Sequence, residues 1–294
     1  MSVAIEVALN GPWGQARQPG APDNVADIVE EGVACVKAGA CVVHVHAYDG
    51  GGPQTFEVDV YARIIEGIRA RVDVPVYPSI PMGGGLSPLQ RFAHIEALAA
   101  RGLLEFAVVD PGSVNLTELT PGAEPAPVYA NPEADIRHGL DLAARYGFSP
   151  AFAIYEPGFT RAGAALARRA GGKAPVYRFM FSSHFAFGFP PEAFGLDAHV
   201  KLLDQAAPGA AWMIAGLGVD VSPLIPAAVA RGGHVRVGLE DAPFGCPLSN
   251  VVLVEAAVRD IRAAGGEPAS VDEWRRTLRG GAPPAALAPG GQPA

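Results

Sequence analysis

Ala4-Ile5-Glu6-Val7-Ala8-Leu9-Asn10, a helical stretch that Asp23 caps and that runs to about Ala38, a Gly39 stop, and then Cys41-Val42-Val43-His44-Val45-His46-Ala47 form the opening unit of the chain. Its two short runs are rich in Val, Ile and Ala and read as buried strands. The segment between them has the length and the stop signal of a helix. A helix that carries the chain from one strand to the next returns it to the same end, so the two strands pair in parallel. The pattern repeats along the sequence. Further strands are expected at Val74–Ile80, Phe106–Pro111, Ser149–Glu156, Val176–Ser182, Ala210–Gly216 and His234–Glu240. Helical patterns fall at about Glu57–Arg71, Pro88–Arg101, Pro132–Tyr146, Phe159–Ala170, Pro191–Ala206, Ser222–Arg231 and Ser249–Ala264. Glycine follows several of these stretches, at Gly102, Gly147 and Gly265, where helices commonly stop. Eight alternating strand–helix units are the number that closes a (β/α)8 TIM barrel, an α/β fold. An open doubly wound sheet is the alternative, but no G-x-G-x-x-G follows the first strand. Residues 1–280 are therefore read as one barrel. Residues 281–294, rich in Gly, Pro and Ala, are read as a disordered tail.

Composition narrows the function classes. Apolar residues make up 49% of the 294 and charged residues only 18%, enough for a large core. The net charge is −8 and no basic stripe is visible, which argues against a nucleic-acid partner. Three cysteines, Cys35, Cys41 and Cys246, cannot build a disulfide framework, and no C-x-x-C occurs. There is no run of about 18 apolar residues and no charged-then-apolar leader, so a cytoplasmic protein with no membrane partner is expected.

In a barrel of this kind, chemistry gathers at the carboxyl ends of the strands. The second strand ends in His44-Val45-His46, and residues two apart on a strand point the same way. Two imidazoles on one face are either half of a metal site or a pair of hydrogen-bonded core histidines. The eighth strand reads Arg236-Val237-Gly238-Leu239-Glu240-Asp241. Burying Arg, Glu and Asp together is costly unless they pair or bind an ion. They are either a salt-bridged plug, or Glu240 completes a His-His-Glu site while Arg236 pairs with Asp241. Three protein ligands with an open position are the pattern of a catalytic zinc, a Lewis acid for a carbonyl oxygen, although other divalent ions also suit it. A nearby carboxylate is then placed to remove a proton alpha to that carbonyl.

Other strand ends supply smaller groups: Asn10 and Trp13, Ser79 with the Gly83-Gly84-Gly85 turn, Ser113 and Asn115, and His184 as a fourth ligand or proton carrier. The Gly216-Leu217-Gly218 turn is either an anion site or a plain turn. The three lysines, Lys37, Lys173 and Lys201, lie away from strand carboxyl ends, which disfavours Schiff-base chemistry. No P-loop and no G-x-S-x-G elbow occurs. Cys246, in the loop after the eighth strand, has no evident base.

These residues resemble the beta-keto acid cleavage enzymes, whose best-known member is the 3-keto-5-aminohexanoate cleavage enzyme. The resemblance runs from about Ala4 to Leu278. It rests on Ala8-Leu9-Asn10-Gly11, Ala38-Gly39-Ala40 leading to His44-Val45-His46, Gly112-Ser113-Val114-Asn115, Tyr155-Glu156-Pro157-Gly158, Trp212–Gly218, Gly232–Asp241 and Ser249-Asn250. It implies a (β/α)8 barrel, usually homotetrameric. The implied reaction takes a beta-keto acid and acetyl-CoA to acetoacetate and a new acyl-CoA. Carried over, His44, His46 and Glu240 are the zinc ligands, Asp241 is the general base held by Arg236, and Ser79 is the catalytic or substrate-orienting serine. Asn10, Trp13, Tyr48, Gly83, Gly84, Ser113, Asn115 and His184 are the candidates for substrate binding.

The chain departs from the aminohexanoate enzyme at telling places. Trp13 replaces a glutamate, and Ala151 and Ala153 replace two acidic residues, so a substrate tail without positive charge, apolar or aromatic, is expected. Trp13 also offers a ring face to a cation. Tyr48 replaces an arginine, and Ser182–Pro191 replaces a Gly-rich stretch. Two other readings stay open: a metal-dependent carbon–carbon lyase or hydrolase that does not use CoA, and a non-catalytic metal-containing binding barrel.

Overall fold

A computed structural model describes residues 1–279; the expected tail at 281–294 lies outside the described residues. Eight strands form its centre: β1 (Ile5–Ala8), β2 (Val42–Val45), β3 (Val76–Pro78), β4 (Phe106–Val108), β5 (Ser149–Ile154), β6 (Val176–Phe181), β7 (Trp212–Gly216) and β8 (His234–Val237). Their hydrogen-bonded order is β3-β2-β1-β8-β7-β6-β5-β4, all parallel. Strands β3 and β4 lie side by side and complete the ring without a ladder. A proline contributes to that seam. The Pro75 carbonyl and the Ser79 N–H both bond to β2. By alternation Pro78 faces β4, and it has no N–H to offer.

The barrel is the (β/α)8 fold expected from the alternation. Its helices are α1 (Val25–Ala38), α2 (Val58–Arg69), α3 (Ala93–Ala100), α4 (Glu133–Tyr146), α5 (Pro157–Ala170), α6 (Ala193–Ala206), α7 (Ile225–Ala230), α8 (Asn250–Ala263) and α9 (Val271–Leu278). Several boundaries differ from expectation. Asn24, not Asp23, caps α1 by accepting from Asp27 N–H at 3.0 Å. The Pro88–Arg101 stretch breaks at Phe92 into a capped turn (Pro88–Arg91) and α3. The eighth strand ends at Val237 and not at Glu240, because Gly238 takes a φ of +136° and the chain turns there. Helix α9 was not anticipated. Its capping box, Ser270 with Glu273, starts a helix that buries Trp274 against Phe106 and His234. The antiparallel pair Val114–Asn115 and Val128–Tyr129 also went unread, as did Ser2–Val3 beside Glu267–Pro268. No helix among the described residues is long and apolar enough to cross a membrane.

The core between strands and helices includes three buried histidines with no part in the barrel mouth chemistry. His94 donates to the Ser79 carbonyl, His199 stacks on Phe179, and His234 accepts from Ala4 N–H at the amino end of β8. Burial pushes each of them down to about 4. The unfolded chain takes up these protons near pH 6.5 and the folded chain refuses them until about pH 4, so stability is full above that window and is lost as pH falls through it. Each histidine contributes up to about 3 kcal/mol to that loss. His199→Phe is expected to flatten the decline between pH 6.5 and 4. Urea unfolding at a series of pH values checks this, and an unchanged slope would count against it.

Candidate active site

Strand β2 carries His44 at its third position, and His46 follows the strand's last residue. Both side chains enter the carboxyl mouth of the barrel, as the i, i+2 spacing requires. Asn10 fixes the second of them from behind. Its side-chain oxygen accepts from His46 N–H, and its amide donates to the His46 and Pro22 carbonyls. Glu240 arrives from the turn after β8. That turn depends on Gly238, where an added Cβ would lie 2.1 Å from the Ala8 carbonyl oxygen. The close approach lets Glu240 N–H bond the same carbonyl and brings the side chain over the histidines. Nε2 of His44 and Nε2 of His46 each lie 3.4 Å from a different oxygen of Glu240.

Arg236 organises the carboxylates. Its Nε and Nη2 donate to both oxygens of Asp241 at 2.8 Å. Nη2 also lies 2.9 Å from Glu240, and Nη1 donates to Glu6 at 2.9 Å. Tyr77 O–H donates to Glu6 at 2.5 Å, and Arg178 reaches Tyr77 and Asp110. Burial raises the Glu240 carboxyl, but the Arg236 guanidinium outweighs it and the group is held well below the usual carboxylate range. Burial, aided by Arg236 and His46 and opposed by Glu240, keeps His44 well below the ordinary histidine value, so its ring is neutral. Asp241 is pushed up to about 6, chiefly by burial against the pull of Arg236.

The donor set fits a divalent cation. His44, His46 and Glu240 form a group whose ligand atoms all lie within 4.8 Å of one another. Nδ1 of His46 donates to the Gln54 side-chain oxygen at 3.0 Å, which turns Nε2 toward Glu240 and the centre of the group. Glu240 Oε2 is buried with no hydrogen-bond partner among the described residues. The buried side chains around the site include four carboxylates (Glu6, Asp110, Glu240, Asp241) against two guanidiniums (Arg178, Arg236), a formal excess of two negative charges that a divalent ion balances.

One cavity joins the triad to Ser79, Asp110, Arg178 and Arg236 below, and to Trp13, Met82, Leu116, Tyr129, Tyr155, Met180 and Leu217 above. Trp13 is tied in place by donating to the Glu240 carbonyl at 2.9 Å. Ala153 lines the same cavity, and Ala151 is buried in β5. Asp241 does not line this cavity. It borders a second, mostly apolar one with Val219, Ile225, Leu248 and Leu253, and Arg236 stands between the two.

Several expected substrate contacts are engaged elsewhere. Tyr48 donates to the Gly11 carbonyl and is buried. Ser113 accepts from Asn131 N–H, and Asn115 is exposed on the Val114–Asn115 pair. Gly83 and Gly84 form a left-handed turn against Ala130 and are not among the cavity walls. His184 sits outside the triad, 3.0 Å from Glu118, which pairs with Arg17. Conversely, Glu6, Tyr77, Arg178 and Gln54 were not singled out from the sequence. A signal existed for two of them: Glu6 and Arg178 are lone charges inside apolar strands, which the cost of burial marks as partners of something.

The model of the beta-keto acid cleavage enzyme family matches residues 2–279. The chain belongs to the beta-keto acid cleavage enzyme family. It is similar to the 3-keto-5-aminohexanoate cleavage enzyme of Fusobacterium nucleatum, 27% identical over 266 residues that cover 88% of this chain and 91% of that one. It is also similar to the 3-oxoadipate:acetyl-CoA acetyltransferase of Cupriavidus necator, 27% identical over 81% of this chain and 79% of that one. Among solved structures, the apo structure of ObcA superposes with a TM-score of 0.69 at 18% identity, over 90% of this chain and 66% of ObcA, which speaks for the shared fold.

Within this family member, the guanidinium of Arg236 is the only cation hydrogen-bonded to Asp241 among the described residues. Removing it leaves buried carboxylates uncompensated. Arg236→Met is expected to lower unfolding free energy by about 3–5 kcal/mol, measured by urea denaturation at pH 7. A loss under about 1 kcal/mol would contradict the burial argument.

Proposed function

We propose that the protein condenses a beta-keto acid with acetyl-CoA and releases acetoacetate and the CoA ester of the remaining acyl group. The observation that carries this reading is the convergence of His44, His46 and Glu240 beside the Arg236–Asp241 pair, in a chain of this family. Atoms balance: the acetyl group moves from sulfur to the C2 carbon of the acid, and the acyl group moves from that carbon to sulfur. His44, His46 and Glu240 hold a divalent cation, with zinc the ion best suited to the set. When bound, it supplies Lewis acidity that stabilises negative charge on the substrate's keto oxygen.

The chain's own residues do the rest. Asp241 accepts the C2 proton; at about 6, its carboxyl is ionised at neutral pH yet still basic enough to serve. Arg236 keeps it ionised and aimed, and the carboxylate swings past the guanidinium edge to reach the inner cavity. Ser79, on the cavity floor, orients the substrate's carboxylate. Trp13, Leu116, Tyr155, Met180 and Leu217 exclude water and receive the tail. With Ala151 and Ala153 on β5, no carboxylate of that strand stands in the cavity to receive an ammonium, which favours an apolar or aromatic tail. The same reading carries the cytoplasmic setting and the homotetramer that the resemblance implies.

One observation favours a second assignment of the base: Asp110, unlike Asp241, lines the inner cavity. Its oxygens already accept from Tyr129 O–H, Ala153 N–H and Arg178. Turnover of a panel of beta-keto acids, with and without acetyl-CoA on zinc-loaded protein, tests the function. Apolar tails are expected to react fastest, and only with acetyl-CoA. Preference for an amino-bearing acid would overturn the tail assignment, and equal turnover without acetyl-CoA would overturn the reaction. Asp241→Asn is expected to slow exchange of the C2 hydrogens with deuterated water by about 100-fold or more. Full exchange in that variant, with loss in Asp110→Asn, would move the base to Asp110.

A further inference from the structure

Gln54 lies in the loop after β2, outside every motif of the sequence, and its side chain joins two groups of the site. Its oxygen is 3.0 Å from Nδ1 of His46, and its amide donates to Ser79 Oγ at 2.9 Å. Tyr61 O–H lies 2.9 Å from the same Ser79 oxygen. Burial pushes the Tyr61 phenol up to about 12, and its O–H shares a hydrogen bond with Ser79 Oγ. Ser79 Oγ is thus held from behind by Gln54 and Tyr61, and Ser79, unlike either of them, lines the cavity with His44, His46 and Glu240.

We infer that Gln54 is a positioning residue with two separable tasks: it fixes the His46 tautomer that leaves Nε2 free for a cation, and it turns the Ser79 hydroxyl into a donor aimed at the substrate. The amide is suited to both because it has one acceptor and one donor end, whereas a carboxylate offers acceptors only. Groups that hold the second nitrogen of a metal-binding histidine commonly govern both ring orientation and affinity. This inference rests on the metal and substrate assignments proposed above.

The two tasks part company in two variants. Gln54→Leu removes both ends. It is expected to weaken Zn²⁺ binding about 10- to 100-fold, read by competition with a chelator on the full chain without substrate. Gln54→Glu keeps the acceptor for His46 but draws the Ser79 hydrogen onto itself. It is expected to bind Zn²⁺ at least as tightly as the wild type, while KM for the keto acid rises about tenfold with a smaller change in kcat. Nitrogen NMR of His46 adds a readout independent of turnover: the proton stays on Nδ1 in the wild type and in Gln54→Glu, and the tautomers mix in Gln54→Leu. Unchanged Zn²⁺ affinity in Gln54→Leu would overturn the first task, and a wild-type KM in Gln54→Glu would overturn the second. Wild-type protein that binds no divalent ion in the same titration would bring down the metal assignment and the first task with it.

Discussion

A guanidinium with three carboxylates around it sits at the carboxyl end of β8, and the rest of the site is arranged to make that burial tolerable. Arg236 is 2% exposed and bonds Glu6, Glu240 and Asp241 at once. In a low-dielectric interior such a cluster persists only if nearly every donor and lone pair finds a partner. Tyr77 and Arg178 supply the next ring of partners. Gly238 admits the turn that swings Glu240 toward the histidines while Asp241 stays on the guanidinium. The formal excess of negative charge that remains is one that a divalent cation at His44, His46 and Glu240 would balance.

The cavity above this cluster divides into two halves with different physics. Its floor is charged and densely hydrogen-bonded, suited to holding small oxygen-rich groups. Its upper walls are aromatic and aliphatic: Trp13 stacks 5.9 Å from Phe185 and meets Phe244 edge-on at 5.2 Å, and Tyr155 meets Phe187 edge-on. Those rings come from the loops after β1, β5, β6 and β8. Arg17, Glu118 and His184 tie three loops together at the rim. Strands thus fix the reacting groups while loops shape the space for the variable part of the substrate, a division that lets related barrels share one reaction and differ in the acid they take.

The two cavities on either side of Arg236 add a constraint on mechanism. Asp241, engaged by the guanidinium, borders the second cavity, and Arg236 separates it from the first. Asp110 occupies the reverse situation: it faces the substrate space, but its oxygens are committed to Tyr129, Ala153 and Arg178.

Much of this was readable along the chain. Alternation of short Val- and Ile-rich runs with helical stretches determined eight parallel units, because the direction of a crossover is set locally by the elements it joins. The spacing of His44 and His46 determined that both face one way, and Arg236-Val237-Gly238-Leu239-Glu240-Asp241 marked a charged strand end. Local pattern could not reach what ring closure decided. Glu6, Tyr77 and Arg178 meet Arg236 only because β1, β3, β6 and β8 point their side chains into a common centre. Gln54 meets His46 and Ser79 only because its loop folds back over the β2 and β3 ends. Tyr48 and Ser113 bond to neighbours, Asn115 lies exposed on a short strand pair, and His184 joins a rim ion cluster, since partners far away in sequence are assigned by packing and not by spacing.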